Sequence, residues 1–295
     1  MSTVILLLLT GIGLAGLYFM FASGLSLIFG LMRVLNLAQG AFLTVCAYVG
    51  WALAHTGPDG HVTTARLIFA LVLSTLCGGT MGFITETVFI RPLYKRETEQ
   101  LLITVGLDLA IVALVSGLAG SYERVLTLPT WLSDSTTVLG AHVPNDTFLT
   151  IATAIVIFAS LTIGLRRTRY GLIVRAGVEN RDMVTALGID VRIAFTLLFT
   201  LGGATAGLAG VLAGIYEGAV TPVLGDSVLI FSFIVIIIGG LGSLLGAGIA
   251  ALIVAVVQQF ANYYLRPGIG DLIAVGLLAV FLLVRPAGIL GRERI

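Results

Sequence analysis

Long apolar runs alternate with short polar connections along the whole chain. The first run extends to residue 29 without a single charged side chain, and 18 or more such residues are typical of a membrane-spanning helix. The pattern predicts nine apolar segments, at about 4–31, 41–54, 67–90, 101–120, 148–165, 193–216, 228–238, 245–260 and 271–284. It therefore indicates an all-α polytopic membrane protein of about 8–10 transmembrane or broken helices.

Three of these segments, 41–54, 228–238 and 271–284, are short for a span of roughly 20 residues. We expect them to be tilted, broken or re-entrant. Non-helical backbone at membrane depth is tolerated only where protein or a water-filled cavity covers it. The short segments therefore draw attention to the interior of the bundle.

Composition agrees with this picture, because 11% of the residues are charged, against about 25% in soluble domains. The 295 residues form one transmembrane domain, with lipid as the surrounding partner. A net charge of +1 and the lack of a basic tract give no reason to expect a nucleic-acid partner. Cys46 and Cys77 lie inside apolar runs, so we interpret both as small hydrophobic residues rather than as ligands or a disulfide.

The distribution of Lys and Arg predicts the orientation. When the segments are threaded alternately, 13 of the 16 basic residues fall on one side, and this side is expected to be cytoplasmic. The N-terminus is then outside and the C-terminus inside. The largest inner loop is 166–192, and the longest outer loop is about 121–147.

The inner loop contains the polar stretch RAGVENRDMVTALGID, 175–190. Glu179, Asn180 and Asp182 cluster where a helix would begin, because such residues cap free N–H groups and face the positive dipole end. Gly188 is a candidate for the C-terminal cap. An apolar stripe follows from helical spacing: Met183, Val184 and Leu187. Two interpretations remain open on these features, a solvated loop helix or a helix that docks on another protein.

This stretch resembles the cytoplasmic signature of the permeases of branched-chain amino-acid ABC importers, the LivH type. Three further regions resemble the same family in the same order. They are GLSLIFGLMRVLNLAQGAF (24–42), ETVFIRPLYKR (86–96), and IIIGGLGSLLGAGIAALI (236–253) together with RPAGILGR (285–292). The resemblance therefore covers nearly the whole chain.

The resemblance implies an ABC importer permease of type II-like architecture in the bacterial inner membrane. It implies a second, homologous permease of the LivM type, two cytoplasmic ATPase subunits and a periplasmic substrate-binding protein. The chain itself lacks G-x-x-x-x-G-K-[ST], so we expect no enzyme activity and no cofactor here, with ATP bound by the partner subunits. The implied ATPase-coupling residues are Arg175, Glu179, Asn180, Arg181, Asp182, Met183, Val184, Ala186, Leu187 and Gly188.

Two acidic residues interrupt the apolar segments. Asp108 lies eight residues into its segment, or roughly 12 Å deep at about 1.5 Å per residue. Because a mid-membrane carboxylate costs about 2.5–3.5 kcal/mol, we expect it to face the bundle interior, a cavity or a partner. It is either a hydrogen-bonded structural acid or part of the translocation path. Glu86 is expected to form a structural pair with a neighbouring arginine.

Two similar breaks suggest an inverted repeat. A polar, glycine-containing stretch follows the first segment and another follows the sixth, and each precedes a short apolar segment. Breaks of this kind line the path in inverted-repeat transporters. We therefore predict Asn36 and Gln39 in the inner part of the path and Glu217, Thr221 and Asp226 near the outer mouth. The alternative is that both breaks are ordinary interfacial turns.

Two glycine motifs bear on the possible functions and on helix packing. Gly11-Ile-Gly13-Leu-Ala-Gly16 matches G-x-G-x-x-G, but no strand precedes it, which argues against dinucleotide binding. The G-x-x-x-G spacings at 203–207, 210–214 and 242–246 predict close helix packing, within the chain or against the partner permease.

The leading function is import of branched-chain or related amino acids. Related permeases for urea, amides or aromatic acids are alternatives, and an ion-coupled secondary transporter is a less favoured one. The three histidines fall in presumed outer loops without H-E-x-x-H, which argues against a membrane enzyme.

Overall fold

The computed structural model describes residues 2–32, 35–55, 62–94, 96–179, 183–184 and 191–291. The α-helices are Ser2–Met32 (α1), Gln39–His55 (α2), Thr64–Ile84 (α3), Glu97–Ala119 (α4), Thr130–Ser133 (α5), Asn145–Arg167 (α6), Arg169–Glu179 (α7), Val191–Glu217 (α8), Leu224–Gly239 (α9), Leu244–Tyr264 (α10) and Ile269–Val284 (α11). A π-helical turn, Thr85–Ile90, and a 3₁₀ turn, Arg91–Leu93, extend α3. The strands are Arg124–Val125 (β1), Ser135–Val138 (β2), Ala141–Pro144 (β3) and Ala219–Val220 (β4).

Within the described residues, 6 helices are long and apolar enough to cross a membrane, and three shorter apolar helices accompany them. The three short ones are α2, α9 and α11, which are the segments that the hydropathy pattern singled out. The expected all-α, multi-pass membrane fold is therefore confirmed. The predicted outer loop adds a small feature that the pattern did not reveal, since β2 and β3 pair as a hairpin around Leu139 and Gly140.

The bundle has two ends. The end that carries Arg91, Arg166 and Arg285 is called here the arginine-rich end, and the end that carries β2 and β3 is called the hairpin end. One large apolar core fills the bundle. A second apolar cluster lies at the arginine-rich end and includes Val184 and Phe195.

The order of helix contacts repeats along the chain. α3 packs along α8, and α10 packs along α1; α2 contacts α3 and α4, as α9 contacts α10 and α11. Helices α1–α4 thus correspond to α8–α11, and each four-helix unit packs its third helix against the first helix of the other. α1 runs from the hairpin end to the arginine-rich end and α8 runs the opposite way. This arrangement is the predicted inverted repeat.

Glycines bring α3 and α8 into backbone contact. A Cβ at Gly203 would overlap the carbonyl oxygen of Gly78, and a Cβ at Gly207 would overlap that of Ser74. Gly210 is equally close to the Leu43 carbonyl of α2, and Gly246 to that of Gly239. The G-x-x-x-G spacings therefore serve close packing within the chain, where small residues let helix backbones approach.

Candidate functional site

The two short helices α2 and α9 begin at the same point inside the bundle. A Cβ at Gly225 would overlap the carbonyl oxygen of Gly40, so only glycine allows the two helix starts to touch. The backbone N–H of Gly225 also donates to Thr44 Oγ1 at 3.0 Å. Each glycine is the second residue of its helix, so the contact joins equivalent positions of the repeat. We call the group formed by Gly40, Ala41, Thr44, Gly225 and Asp226 the junction.

The junction lies near the middle of the bundle. Gln39, the first residue of α2, donates through Nε2 to the carbonyl oxygens of Phe21 and Gly202, both at 3.3 Å. Gly202 lies roughly 16 Å along α8, a helix that is about 40 Å long at 1.5 Å per residue. The chain therefore re-enters from opposite ends, after α1 and after α8, and both excursions reach mid-depth.

Two carboxyl groups meet at the junction. Asp108 Oδ1 accepts the Ala41 N–H at 2.8 Å. A Cβ at Gly40 would lie 3.3 Å from Asp108 Oδ1 and 3.4 Å from Asp226 Oδ1, so both carboxyls border the same glycine. Both are half-buried. Asp226 is in the first turn of α9, and the Asp108 carboxyl reaches from the middle of α4 to the start of α2, so each carboxyl lies where the positive end of a helix dipole favours negative charge.

Buried amides complete this polar centre. Asn36 and Gln39 are 1% and 0% exposed. Among the described residues, no protein donor reaches Asn36 Oδ1, Gln39 Oε1 or Asp226 Oδ1, although all three atoms are buried. Such groups are costly to bury unpaired. The centre of the bundle therefore offers several hydrogen-bond acceptors within otherwise apolar walls.

The six predicted path residues divide into two groups. Asn36, Gln39, Asp108 and Asp226 come together around the start of α2 and α9. Glu217 and Thr221 do not join them: Glu217 is exposed at the end of α8, and Thr221 follows β4, which pairs with β1 toward the hairpin end.

The expected position of Asp226 near the outer mouth is wrong. The break after α8 re-enters by half the depth of the bundle before α9 begins, which carries Asp226 to Gly40. Asp108 is also deeper than expected, because α4 begins at Glu97 rather than near residue 101. It does face the bundle interior, as predicted.

The predicted coupling residues are only partly described. Asn180, Arg181, Asp182, Ala186, Leu187 and Gly188 lie outside the described residues. Glu179 belongs to a helix that begins at Arg169, so the expectation that it opens a helix is wrong. Arg175 is exposed on the same helix and bonds to the carbonyls of Gly171 and Arg166.

The predicted apolar stripe of this loop is split by the fold. Met183 is 62% exposed, whereas Val184 is 4% exposed and packs in the second apolar cluster. Successive helical residues point about 100° apart, so one faces out while the next faces in. Val184 is therefore wrong as a docking residue, and it ties the loop to the core of its own chain.

The expected pairing of Glu86 with a neighbouring arginine is confirmed, since Glu86 Oε2 lies 3.1 Å from Arg91 Nη2. The parts of Thr44, Gly40 and Gly225 in the junction were not predicted. A signal was present, since a glycine stands at the same position after each break, in QGAFL and in LGDSVL.

Cys46 and Cys77 are free thiols, with Cys46 fully buried as expected. Within the described ranges, no group of three His, Cys, Asp or Glu residues is arranged to hold a metal ion.

Comparisons of the sequence with known proteins identify its family. Residues 7–284 match the family model described as branched-chain amino acid transport system, permease component. LivH of Escherichia coli strain K12 is 29% identical over 97% of this chain and 94% of its own length. BraD of Pseudomonas aeruginosa is 27% identical over 98% of this chain and 96% of its own length.

A more distant relative has a different name. The probable permease LivM of Methanocaldococcus jannaschii is 24% identical over 76% of this chain and 65% of its own length. No solved structure matches the chain. The family model covers nearly the whole chain, including both halves of the repeat and the junction between them. The chain therefore belongs to the family of permease components of branched-chain amino acid transport systems.

Proposed function

We propose that this chain is a membrane subunit of an ATP-driven importer for branched-chain amino acids. The supporting observation is the alignment with LivH and BraD, named as high-affinity branched-chain amino acid permeases, over nearly the full length of each chain. These relatives favour branched-chain substrates over urea, amides or aromatic acids. Mostly apolar walls around a few polar groups suit an aliphatic amino acid.

The proposed assembly contains four kinds of protein. A LivM-type permease completes the membrane part, and the similarity of this chain to a LivM relative supports a pair of homologous subunits. Two ATPase subunits bind ATP at the arginine-rich end, and a periplasmic binding protein delivers substrate at the hairpin end. The excess of basic residues at the arginine-rich end supports a cytoplasmic location there, with the N-terminus outside and the C-terminus inside.

Substrate specificity is tested by competition. The assembled importer, reconstituted with its own binding protein, should take up radiolabelled leucine, and unlabelled isoleucine and valine should compete for uptake. Unlabelled urea or benzoate at the same concentration should leave uptake unchanged. Strong competition by urea, with none by isoleucine, would refute the proposed substrate class.

We place the translocation path through the junction. Asn36, Gln39, Asp108 and Asp226 supply its polar groups at mid-depth, where acidic residues in membrane proteins commonly mark a substrate route. Glu217 and Thr221 are proposed to lie toward the outer mouth.

Single cysteines at positions 36, 39, 221 and 226 test this path. Their reaction with a water-soluble maleimide added from each side should change between the resting and the ATP-trapped states. A cysteine at Leu118, which is 81% exposed on α4, is the matched control and should be indifferent to the state. Inaccessibility of all four path positions in every state would exclude the path.

We propose that the loop between α6 and α8 docks on the ATPase. Arg175 and Met183 are exposed on it, and the neighbouring positions Glu179, Asn180, Arg181, Asp182, Ala186, Leu187 and Gly188 complete the proposed contact. A charge introduced at Ala186 or Leu187 should abolish ATPase assembly or uptake while membrane insertion continues. Leu139→Glu, in the hairpin turn at the other end, is the control for ATPase assembly, which it should leave unchanged. Normal uptake by the loop variants would place the contact elsewhere.

A further inference from the structure

Glu86 is a fully buried carboxylate at the arginine-rich end, with 0% exposure. It stands in the π-helical turn Thr85–Ile90, where the backbone N–H of Arg91 bonds to the Glu86 carbonyl. In an α-helix the side chains that meet are three or four residues apart. The wider π turn instead brings residues five apart together, and such turns are frequent at functional sites. The turn thus places the Arg91 guanidinium on the Glu86 carboxylate.

Three side chains from two separate parts of the chain close around this carboxylate. Glu86 Oε2 accepts from Arg91 Nη2 at 3.1 Å and from Thr196 Oγ1 at 2.7 Å. Glu86 Oε1 accepts from Arg91 Nε at 3.4 Å and from the Tyr94 hydroxyl. Arg91 Nη2 also donates to Thr196 Oγ1 at 3.0 Å. We call Glu86, Arg91, Tyr94 and Thr196 the Glu86 cluster.

The surroundings of Tyr94 keep its hydroxyl protonated, as its hydrogen bond to Glu86 requires. Burial, and then the hydrogen bond to Glu86, raise the pKa of the Tyr94 phenol above its ordinary value, so the hydroxyl remains a donor. The Tyr94 ring also packs edge-on against Phe195, with centroids 5.0 Å apart. We call the turns Thr85–Ile90 and Arg91–Leu93, together with Tyr94, the elbow between α3 and α4. Hydrogen bonds to Thr196 and the ring contact with Phe195 therefore join the elbow to α8.

The cluster connects two parts of the molecule that matter for the proposed function. On one side, Thr196 lies in the second turn of α8, directly after the loop proposed to meet the ATPase, and Val184 of that loop packs in the same apolar cluster as Phe195. On the other side, α4 begins at Glu97, immediately after the elbow, and carries Asp108 to the junction.

We propose that Glu86 is a positioning residue for transport, which locks the start of α8 to the elbow so that displacement of the loop moves α4 and Asp108. This inference rests on the proposed importer function. The α3–α8 backbone contacts at Gly78 and Gly203 hold the two helices in register. The turns that carry the Glu86 cluster also contact α4, which is mostly exposed and otherwise contacts mainly α2 among the described helices.

The test is the amount of leucine transported per ATP hydrolysed by the complete importer in proteoliposomes. Thr196→Val removes the hydroxyl with little change of shape, Glu86→Gln removes the charge, and Thr196→Ser is the matched control that keeps the hydroxyl. We expect the valine and glutamine variants to assemble and hydrolyse ATP, while transport per ATP falls about tenfold, within the usual range of coupling between distant sites. The serine variant should retain the wild-type ratio.

A second measurement guards against a purely structural effect. Thr196→Val removes one hydrogen bond from the buried Glu86 carboxylate, so its melting temperature should fall by only roughly 2–4 °C, and its ATPase co-purification should be close to wild type. An unchanged transport ratio in assembled Thr196→Val and Glu86→Gln importers would overturn the proposal, as would equal losses in the valine and serine variants. ATP-independent uptake by the wild type would instead overturn the importer function, and the proposal with it.

Discussion

The two seams that join the halves of the repeat are built in different ways. Along the α3–α8 seam, Gly78 and Gly203 place backbone against backbone, with no room for a side chain between them. The equivalent α1–α10 seam is looser, since a Cβ at Gly11 would lie 3.2 Å from Val256 Cα, whereas a Cβ at Gly203 would overlap the Gly78 carbonyl oxygen. Side-chain hydrogen bonds also cross this seam: Tyr18 donates to Gln258 Oε1 at 3.0 Å, and Gln259 donates to Thr10 at 3.1 Å. The same topology thus has a tighter backbone contact on one side and more side-chain contact on the other.

This difference has a mechanical consequence. Interlocked backbones have discrete arrangements and little freedom to slide, whereas side chains can change rotamer and repack. The α3–α8 seam ends at the Glu86 cluster, beside the loop proposed to receive the ATPase, so the stiffer seam lies where force would enter. We therefore expect the α1–α10 seam to adjust more readily than the α3–α8 seam.

Gly203→Ala should produce the largest effect on the comparison. The new methyl group would overlap the Gly78 carbonyl oxygen, which is backbone and cannot rotate away. Overpacking of this kind costs about 1–3 kcal/mol or more. We expect a clear drop in melting temperature and in the yield of folded protein in detergent. A wild-type melting temperature would show that the seam is not closely packed.

Gly225→Ala should have a similar but more local effect. Its methyl group would meet the Gly40 carbonyl oxygen and the Thr44 hydroxyl, forcing the starts of α2 and α9 apart. Because Asp108 and Asp226 border Gly40, leucine uptake should fall by more than the loss of folded protein explains. Measuring melting temperature and leucine uptake on the same preparation separates the two. Loss of stability without a greater loss of uptake would argue against a path through the junction.

Tyr18→Phe should weaken the α1–α10 seam modestly. The substitution removes one buried hydrogen bond, worth about 1 kcal/mol, while Gln258 keeps its bond to Asp271 Oδ1 at 2.7 Å. Ring packing against Phe231 is retained. Thermal unfolding should shift by roughly 2–4 °C. A drop as large as that of Gly203→Ala would mean that the two seams are equally rigid.

Gly248→Ala should have the smallest effect. This glycine also lies on the α1–α10 seam, but an added methyl group would meet only the Phe19 ring, at 3.7 Å, which is ordinary van der Waals contact. Alanine also favours the helix by about 0.8–1.0 kcal/mol over glycine. We expect an unchanged or slightly higher melting temperature. Marked destabilisation would show that this seam too is closed by backbone contact.

Much of the fold follows from the sequence. Hydropathy predicts the apolar helices, and the distribution of Lys and Arg predicts which of their connections lie at the same end of the bundle. The G-x-x-x-G spacings at Gly203 and Gly207 predicted close packing correctly. They could not name α3 as the partner, since the spacing of small residues does not specify what approaches them.

The candidate site was harder to predict. Asn36, Gln39 and Asp108 were recognisable as polar groups in apolar surroundings, but their meeting with Asp226 depends on how far each break re-enters the bundle. A half-helix buried at mid-depth and a short span at the surface have similar hydropathy. Val184 shows a similar limit. Helical spacing predicted an apolar stripe, but it could not show whether the stripe packs on a partner protein or on its own chain.

The central claim is that this chain works as a subunit of an ATP-driven importer, and its driving force tests that claim most directly. The chain is reconstituted in proteoliposomes with its LivM-type partner, the ATPase subunits and the leucine-loaded binding protein, with or without internal ATP and a sodium or proton gradient. We predict leucine accumulation that requires both ATP and the binding protein and is indifferent to either gradient. Accumulation driven by a gradient in the absence of ATP would contradict the claim.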